Sequence, residues 1–278
     1  MLKLILATAL SLSAFSTSAQ DAAGDLAKAN FCKARTQQGA LQDIISKHDA
    51  SLSFANQGGI FGGGVCWWHS RFTRNAAYLA RFRPELPQPT EEEARVIIKA
   101  IRKGKSLIEI PGFRNLTEFS WRWDQLILRE LEAWQRNDGI VRQQWIRGLS
   151  GSSNIKPEAL QKRMEELYVR IQNGEVVYQK LQLPGIVAHA WLVVGMEPIA
   201  NGYDLHVLDS NFFGVQTHRY YFGDTSLNYF GMGNFVPYTE MTKEERRMRR
   251  LVESECNLQS TTDDAEDDDS SDEEREQN

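Results

Sequence analysis

Three residues far apart in the chain, Cys66, His189 and Asp209, have the side chains needed for nucleophilic attack on a carbonyl group. Cys66 follows a run of glycines and opens a segment whose apolar residues repeat with helical spacing. In the first turn of a helix, a thiol lies beside unpaired backbone N–H groups that favour the nucleophilic thiolate. His189 would take the thiol proton, and Asp209 would orient the imidazole. A small apolar core residue also suits such a position, so Cys66 alone leaves both interpretations open.

The histidine and the acid fall in two strand-like segments, VAHAWLVVG and YDLHVLDS, joined by the turn-rich MEPIANG. A hairpin centred on Ile199 would place His189 directly opposite Asp209 on one face of the sheet. Asn211 would lie one step diagonal and could orient the imidazole in the same way. His206 would point to the other face, and a one-residue slip in register would reverse this assignment.

The oxyanion of an acyl-transfer intermediate needs hydrogen-bond donors. We expect the backbone N–H of Cys66 to be one donor and the side chain of Gln57 to be the other, with Asn56 behind it. His69, three residues after Cys66, is an alternative base, but no orienting group lies near it in sequence. Cys66 and His69 also have no second ligand pair at zinc spacing, so we expect neither a metal ion nor a cofactor.

Apolar spacing predicts an α+β protein with a helical first half and an antiparallel second half. Helices are expected at 25–48, after Cys66, from Thr90 to Gly104, around SWRWDQLILRELEAWQ, from Pro157 and from Thr242. From Glu175 onward, four strand-like segments follow one another. The Trp and Arg residues near 121–136 have core spacing, so we expect no nucleic-acid partner. The apolar run 183–200 contains His189, Glu197 and two prolines, which predicts a buried strand and no membrane span.

The two ends of the chain differ in composition from the rest. Residues 1–19 combine Lys3, a short apolar run and a small-residue cleavage site, which predicts a signal peptide and a secreted or periplasmic location. The net charge of −5 is concentrated in residues 260–278, which carry ten acidic residues and one arginine, so the remainder is +4 by difference. This tail is expected to be disordered and solubilising. The folded domain would span 20–259, helical to about 174 and sheet-rich from about 175.

The chain has three cysteines, an odd number for an oxidising compartment. Cys32 lies near the start of the predicted domain and Cys256 near its end, and the termini of compact domains often lie close together. We therefore expect a Cys32–Cys256 disulfide and a free Cys66.

The stretches QGGIFGGGVCWW, HAWLVVG and LDSN together resemble the papain-like cysteine peptidase superfamily. The resemblance covers most of residues 50–215. It implies that a helical N-terminal half carrying the cysteine helix packs on an antiparallel, sheet-rich C-terminal half carrying the histidine and the acid. Asp209 replaces the more familiar asparagine of Asn-Ser-Trp, as in transglutaminase-like relatives. Gln57 lies nine residues before Cys66, farther than the usual oxyanion glutamine of this superfamily.

The resemblance implies a cysteine-dependent hydrolase, a peptidase or amidase that acts through a thioester acyl-enzyme. Its substrate would be a peptide or protein, including cell-wall peptide, and the protein would be a monomer. Two alternatives remain. One is a papain-like binding module without catalysis, in which Cys66 is a core residue. The other is acyl transfer to an amine or to cell-wall peptide.

Overall fold

The computed structural model describes residues 22–59, 62–138, 152–184, 187–229 and 233–256. The predicted signal peptide and the acidic tail lie outside these ranges. Within them, no helix is both long enough and apolar enough to cross a membrane.

The order of elements confirms the α+β class, with most helices before the sheet. The helices are α1 (22–36), α2 (Ala40–Ile45), α3 (Cys66–Leu79), α4 (Glu91–Lys103), α5 (Leu116–Arg136), α6 (Pro157–Gln172) and α7 (Thr242–Glu255). The strands are β1 (Ala80–Arg83), β2 (Ile108–Pro111), β3 (Val177–Gln182), β4 (Ala188–Ile199), β5 (Gly202–Asp209), β6 (Val215–Tyr221), β7 (Leu227–Tyr229) and β8 (Gly233–Thr239).

Six strands of the C-terminal half form one antiparallel sheet in the order β6-β5-β4-β3-β8-β7, while β1 and β2 form a separate parallel pair. One hydrophobic cluster lies between one face of the sheet and helices α3, α4 and α5, and a second lies between the other face and α6. Trp191 of β4 is fully buried in the second cluster. Burial of one such large side chain contributes about 1.5–3 kcal/mol, and here it fixes the central strands that carry the candidate site.

Helix α3 is the central helix of the fold. The predicted apolar stripe, which includes Trp68 and Phe72, is buried, but the opposite side of the helix is buried as well. On that side, Arg71 and Arg74 form ion pairs with Glu244 of α7. Burial of Glu244 opposes its ionisation, but the two guanidinium groups lower its pKa to about 2. The helix that begins with Cys66 is therefore held on every side.

The N-terminal helical region differs from the single helix expected at 25–48. Gly39 adopts a left-handed backbone conformation (φ 77°) and separates α1 from α2, and a short 3-10 turn follows at His48–Ala50. Glycine adopts such angles without steric cost, which explains the break. Further along, Thr90 and Glu93 have the spacing of a capping box, and this box forms at the start of α4. Thr242 and Glu245 have the same spacing, but α7 begins after Met241 and lacks a side-chain cap.

The Cys32–Cys256 disulfide is present, as expected, and joins α1 to the end of α7. It closes a loop with a sequence separation of 224 residues. In the chain-entropy description, closing a loop of this length stabilises the fold by about 5 kcal/mol. Cys66 is the free cysteine of the described residues.

Candidate active site

Cys66 is the first residue of α3 and is only 7% exposed. The glycine loop before it folds back on itself, with a hydrogen bond of 2.9 Å from Gly64 N–H to the carbonyl of Gly58. Gly64 has a φ of +79°, and a Cβ atom there would lie 2.3 Å from the side chain of Asn56. The loop therefore requires glycine at this position. The backbone N–H of Cys66 belongs to the first turn of α3, whose donors have no intrahelical acceptor.

The imidazole of His189 lies between the thiol and the carboxylate. Its Nε2 is 2.7 Å from Asp209 Oδ1, and its ring also interacts electrostatically with Cys66. Burial favours the neutral ring, but the interactions with Cys66 and with Asp209 outweigh burial and raise the pKa of His189 to about 10. The site is thus arranged to favour the imidazolium form of His189.

Helix α3 and strand β4 are linked directly beside this contact. Ser70, one turn after Cys66, donates its hydroxyl to the backbone carbonyl of Ala190 at 3.2 Å. Ala190 follows His189 on β4, so the base and the nucleophile lie on elements that are joined at neighbouring residues.

Asp209, at the end of β5, is 3% exposed and has a donor on each carboxylate oxygen. Oδ1 accepts from His189 and from the backbone N–H of Asn211 at 2.8 Å. Oδ2 accepts from the hydroxyl of Tyr229 at 2.6 Å. Burial opposes ionisation of this carboxylate, but the hydrogen bonds outweigh it and hold the pKa of Asp209 below its ordinary value. Asp209 is therefore an anion aimed at His189.

The predicted direct opposition of His189 and Asp209 is wrong in register. Trp191 lies opposite Asp209, so His189 is the diagonal neighbour on the same face. The hairpin turns between Ile199 and Gly202, and an irregularity between Val193 and Gly195 shifts the pairing by one residue. Without that bulge, the pairing set at the turn would align Asp209 with Leu192 and point its side chain away from His189. The bulge is what brings the histidine and the acid to one face.

The other two expected site residues are placed differently. Asn211 does not orient His189; its side chain donates to Tyr229 at 2.9 Å. Gln57 is exposed, and its side chain makes no hydrogen bond to another described residue; its oxyanion role stays a prediction. Asn56, the second expected amide donor after Gln57, has a side chain that is fixed by hydrogen bonds. Its Oδ1 accepts from the backbone N–H of Val65 at 2.5 Å, directly before Cys66.

Two other histidines lack the features of the base. His69 is buried, bonds through Nε2 to the carbonyl of Phe54 at 3.0 Å, and burial lowers its pKa to about 4. It is therefore neutral and turned to a backbone acceptor. His206 alternates with Asp209 along β5, so it lies on the opposite face, where it contacts Thr217. In the part of the chain that the structure describes, no three His, Cys, Asp or Glu side chains converge as a metal site.

Tyr229 is the site residue that the sequence interpretation missed. It lies on β7, a strand of three residues paired with β8, and neither strand was expected. The available signal was the alternation of Leu227 and Tyr229, followed by the alternating apolar residues of GNFVPYT. That alternation predicts a hairpin, but nothing local indicates that Tyr229 reaches Asp209.

Comparisons with protein-family models, with curated proteins and with solved structures find no match to this chain.

Proposed function

We propose that this protein is a cysteine-dependent hydrolase that cleaves peptide or amide bonds through a thioester acyl-enzyme. The observation that carries the proposal is the line Cys66–His189–Asp209. It consists of a free thiol at a helix start, an imidazole that interacts electrostatically with that thiol, and a buried carboxylate bonded to the imidazole. These are the parts that nucleophilic catalysis by cysteine requires.

In the proposed reaction, the Cys66 sulfur attacks the substrate carbonyl carbon and forms a C–S bond, while the carbonyl oxygen becomes an oxyanion. The Cys66 backbone N–H, in the first turn of α3, donates to that oxygen. His189, holding the thiol proton, gives it to the departing amine as the C–N bond breaks. Water then attacks the thioester with His189 as base, which releases the acid and returns the proton to the thiol. Asp209 keeps the imidazole oriented throughout.

The burial of the site favours this proposal over a binding module in which Cys66 is only a core residue. A packed thiol needs no partner, whereas burying an ionisable ring and a carboxylate carries a desolvation cost. Here Asp209 and His189 are both buried, and their polar atoms are directed at each other and at the thiol. An apolar pair of similar size would pack without that cost, so the arrangement has the character of a functional site.

The resemblance to papain-like peptidases in the segments around these three residues agrees with the proposal and with a peptide or protein as substrate. The disulfide is compatible with action outside the cytoplasm, and we propose a secreted or periplasmic monomer. Acyl transfer to an amine would share the first half of the reaction and differ only in the acceptor that attacks the thioester.

Reaction with iodoacetamide tests the proposal. The native protein should be alkylated quickly and stoichiometrically at Cys66, as peptide mapping by mass spectrometry would show. His189→Ala retains the thiol and should react much more slowly, whereas His206→Ala, on the opposite face of β5, should react like the wild type. Slow alkylation that speeds up only on unfolding would contradict the proposal and favour the binding module.

A further inference from the structure

A continuous series of hydrogen bonds runs from the start of α3 to the carboxylate of Asp209. We propose that Asn56, Asn211 and Tyr229 form a relay that positions the acid and base relative to Cys66, with Tyr229 holding Asp209 in its charged, aimed state. The catalytic consequence of this relay rests on the proposed function, whereas its effect on Asp209 itself does not.

The relay has one direction. Val65 N–H donates to Asn56 Oδ1 at 2.5 Å, and Asn56 Nδ2 donates to Asn211 Oδ1 at 2.9 Å. Asn211 Nδ2 donates to the Tyr229 oxygen at 2.9 Å, and the Tyr229 hydroxyl donates to Asp209 Oδ2 at 2.6 Å. A backbone N–H can only donate and a carboxylate can only accept, so the two ends dictate the orientation of both amides between them. No member of the series can reverse without leaving a neighbour unpaired.

The relay connects three parts of the chain that are distant in sequence. Asn56 precedes the glycine loop, Asn211 follows β5, Tyr229 ends β7 and Asp209 ends β5. A second bond, from Asn56 N–H to the carbonyl of Ser210 at 2.6 Å, ties the first two parts together through the backbone. The loop that presents the nucleophile is thereby fixed to the segment that presents the acid. Positioning of this kind matters because a displacement of about 1 Å can cost about 10²-fold in rate.

Tyr229 has a specific electrostatic role in this series. Oδ1 of Asp209 is shared by His189 and a backbone N–H, whereas the side-chain donor to Oδ2 is Tyr229. Burial and the neighbouring carboxylate raise the pKa of Tyr229, so its hydroxyl remains protonated and remains a donor at every working pH. Removing that hydroxyl would leave the buried Oδ2 atom of Asp209 without its side-chain hydrogen-bond donor. Because hydrogen bonds to the anion lower the pKa of Asp209, losing one must raise it.

The test compares Tyr229→Phe with Tyr220→Phe in the full-length protein. Tyr220 is also fully buried in the same cluster, but its hydroxyl has no hydrogen-bond partner among the described residues, so it is a matched control. The first measurement is the rate of Cys66 alkylation by iodoacetamide as a function of pH. In Tyr229→Phe, the acid limb of this profile should move to higher pH by about one unit. This shift corresponds to a tenfold change in the ionisation equilibrium of Asp209 towards the neutral acid. Tyr220→Phe should leave the profile unchanged.

The second measurement is the titration of the Asp209 carboxyl carbon by NMR, with its signal assigned by its absence in Asp209→Asn. The midpoint should rise by about one pH unit in Tyr229→Phe and stay in place in Tyr220→Phe. This readout does not depend on activity. If Tyr229→Phe does not fold, Asn211→Ala, which changes a half-buried residue, should produce a smaller shift in the same direction.

The outcomes separate the two proposals. If both tyrosine variants titrate like the wild type, the relay is wrong, whatever the reactivity of Cys66. If Cys66 is unreactive in the wild type but the Asp209 midpoint moves only in Tyr229→Phe, the relay stands as a positioning device and the proposed hydrolase fails. If the midpoint and the acid limb move together only in Tyr229→Phe, both proposals are supported.

Discussion

Replacing Asp209 by asparagine removes its charge while keeping its shape. In Asp209→Asn, the amide oxygen can still accept from His189 and from the backbone N–H of Asn211, while the amide nitrogen faces the Tyr229 oxygen. The imidazole tautomer is therefore kept, whereas the charge that stabilises the imidazolium is lost and the Tyr229 hydroxyl loses its acceptor. A hydrogen bond to a charged group contributes about 1.5–3 kcal/mol and a neutral one about 0.5–1.5 kcal/mol. The difference, about 1–2 kcal/mol, predicts a loss of about 5- to 30-fold in the population of the ion pair.

Asp209→Ala is the comparison for this variant. It leaves His189 Nε2, the Tyr229 hydroxyl and the Asn211 N–H without their acceptor, so we expect a loss well beyond that of asparagine. The assay is the pH dependence of amide hydrolysis, with iodoacetamide alkylation of Cys66 as a second rate. Because the Asp209 charge raises the pKa of His189, its removal lowers that pKa, and the imidazolium is lost at a lower pH. The basic limb of the profile should therefore move to lower pH in Asp209→Asn. Equal losses in the two variants, or an unmoved basic limb, would refute this reasoning.

Three further predictions follow from the same contacts. Peptide mapping of the native protein should find one disulfide, Cys32–Cys256, and a free Cys66; Cys256→Ser should lower the free energy of unfolding by about 2–5 kcal/mol, and an unchanged denaturant midpoint would contradict the assigned role of the bridge. His69→Ala should retain most activity, because His69 is neutral and faces the Phe54 carbonyl; loss as severe as in His189→Ala would make His69 the base. Gly64→Ala should slow Cys66 alkylation, because the added Cβ would collide with Asn56 and the φ of this residue is positive. Gly62→Ala is the control for backbone strain, because Gly62 has a similar φ but open space around it. Equal effects of the two variants would show that backbone strain alone is the cause.

The parts of the fold that were predictable from sequence are those with local signals. Thr90 and Glu93 mark the start of α4, and the apolar stripe through Ile127 and Trp134 marks the part of α5 after its kink at Trp123, because caps and helical periodicity depend on neighbours in sequence. The disulfide was predictable because Cys32 and Cys256 lie near the two ends of the folded part, and such ends often lie close together.

The contacts that complete the site depend on non-local geometry and were not predictable in the same way. The bulge between Val193 and Gly195 decides whether Asp209 faces His189. Its one local signal in the sequence is a glycine within an apolar strand. Tyr229 reaches Asp209 although β7 is four strands away from β5 in the sheet order, because the sheet curls until β7 contacts β6 beside β5. Gln57 was expected because an oxyanion needs an amide donor, and this role stays a prediction, whereas the contact of Asn56 with the loop before Cys66 had no signal in the sequence.

The most direct test of the central claim is to detect the covalent intermediate on Cys66. The wild type is mixed with an activated ester, and intact-protein mass spectrometry is combined with product release over time. We expect a burst of about one product per chain, with a matching acyl adduct that maps to Cys66. The burst rate should fall by about 10²–10⁴-fold in His189→Ala, as expected for the loss of a general base. An adduct on another residue, or a burst in His189→Ala as fast as in the wild type, would contradict the account.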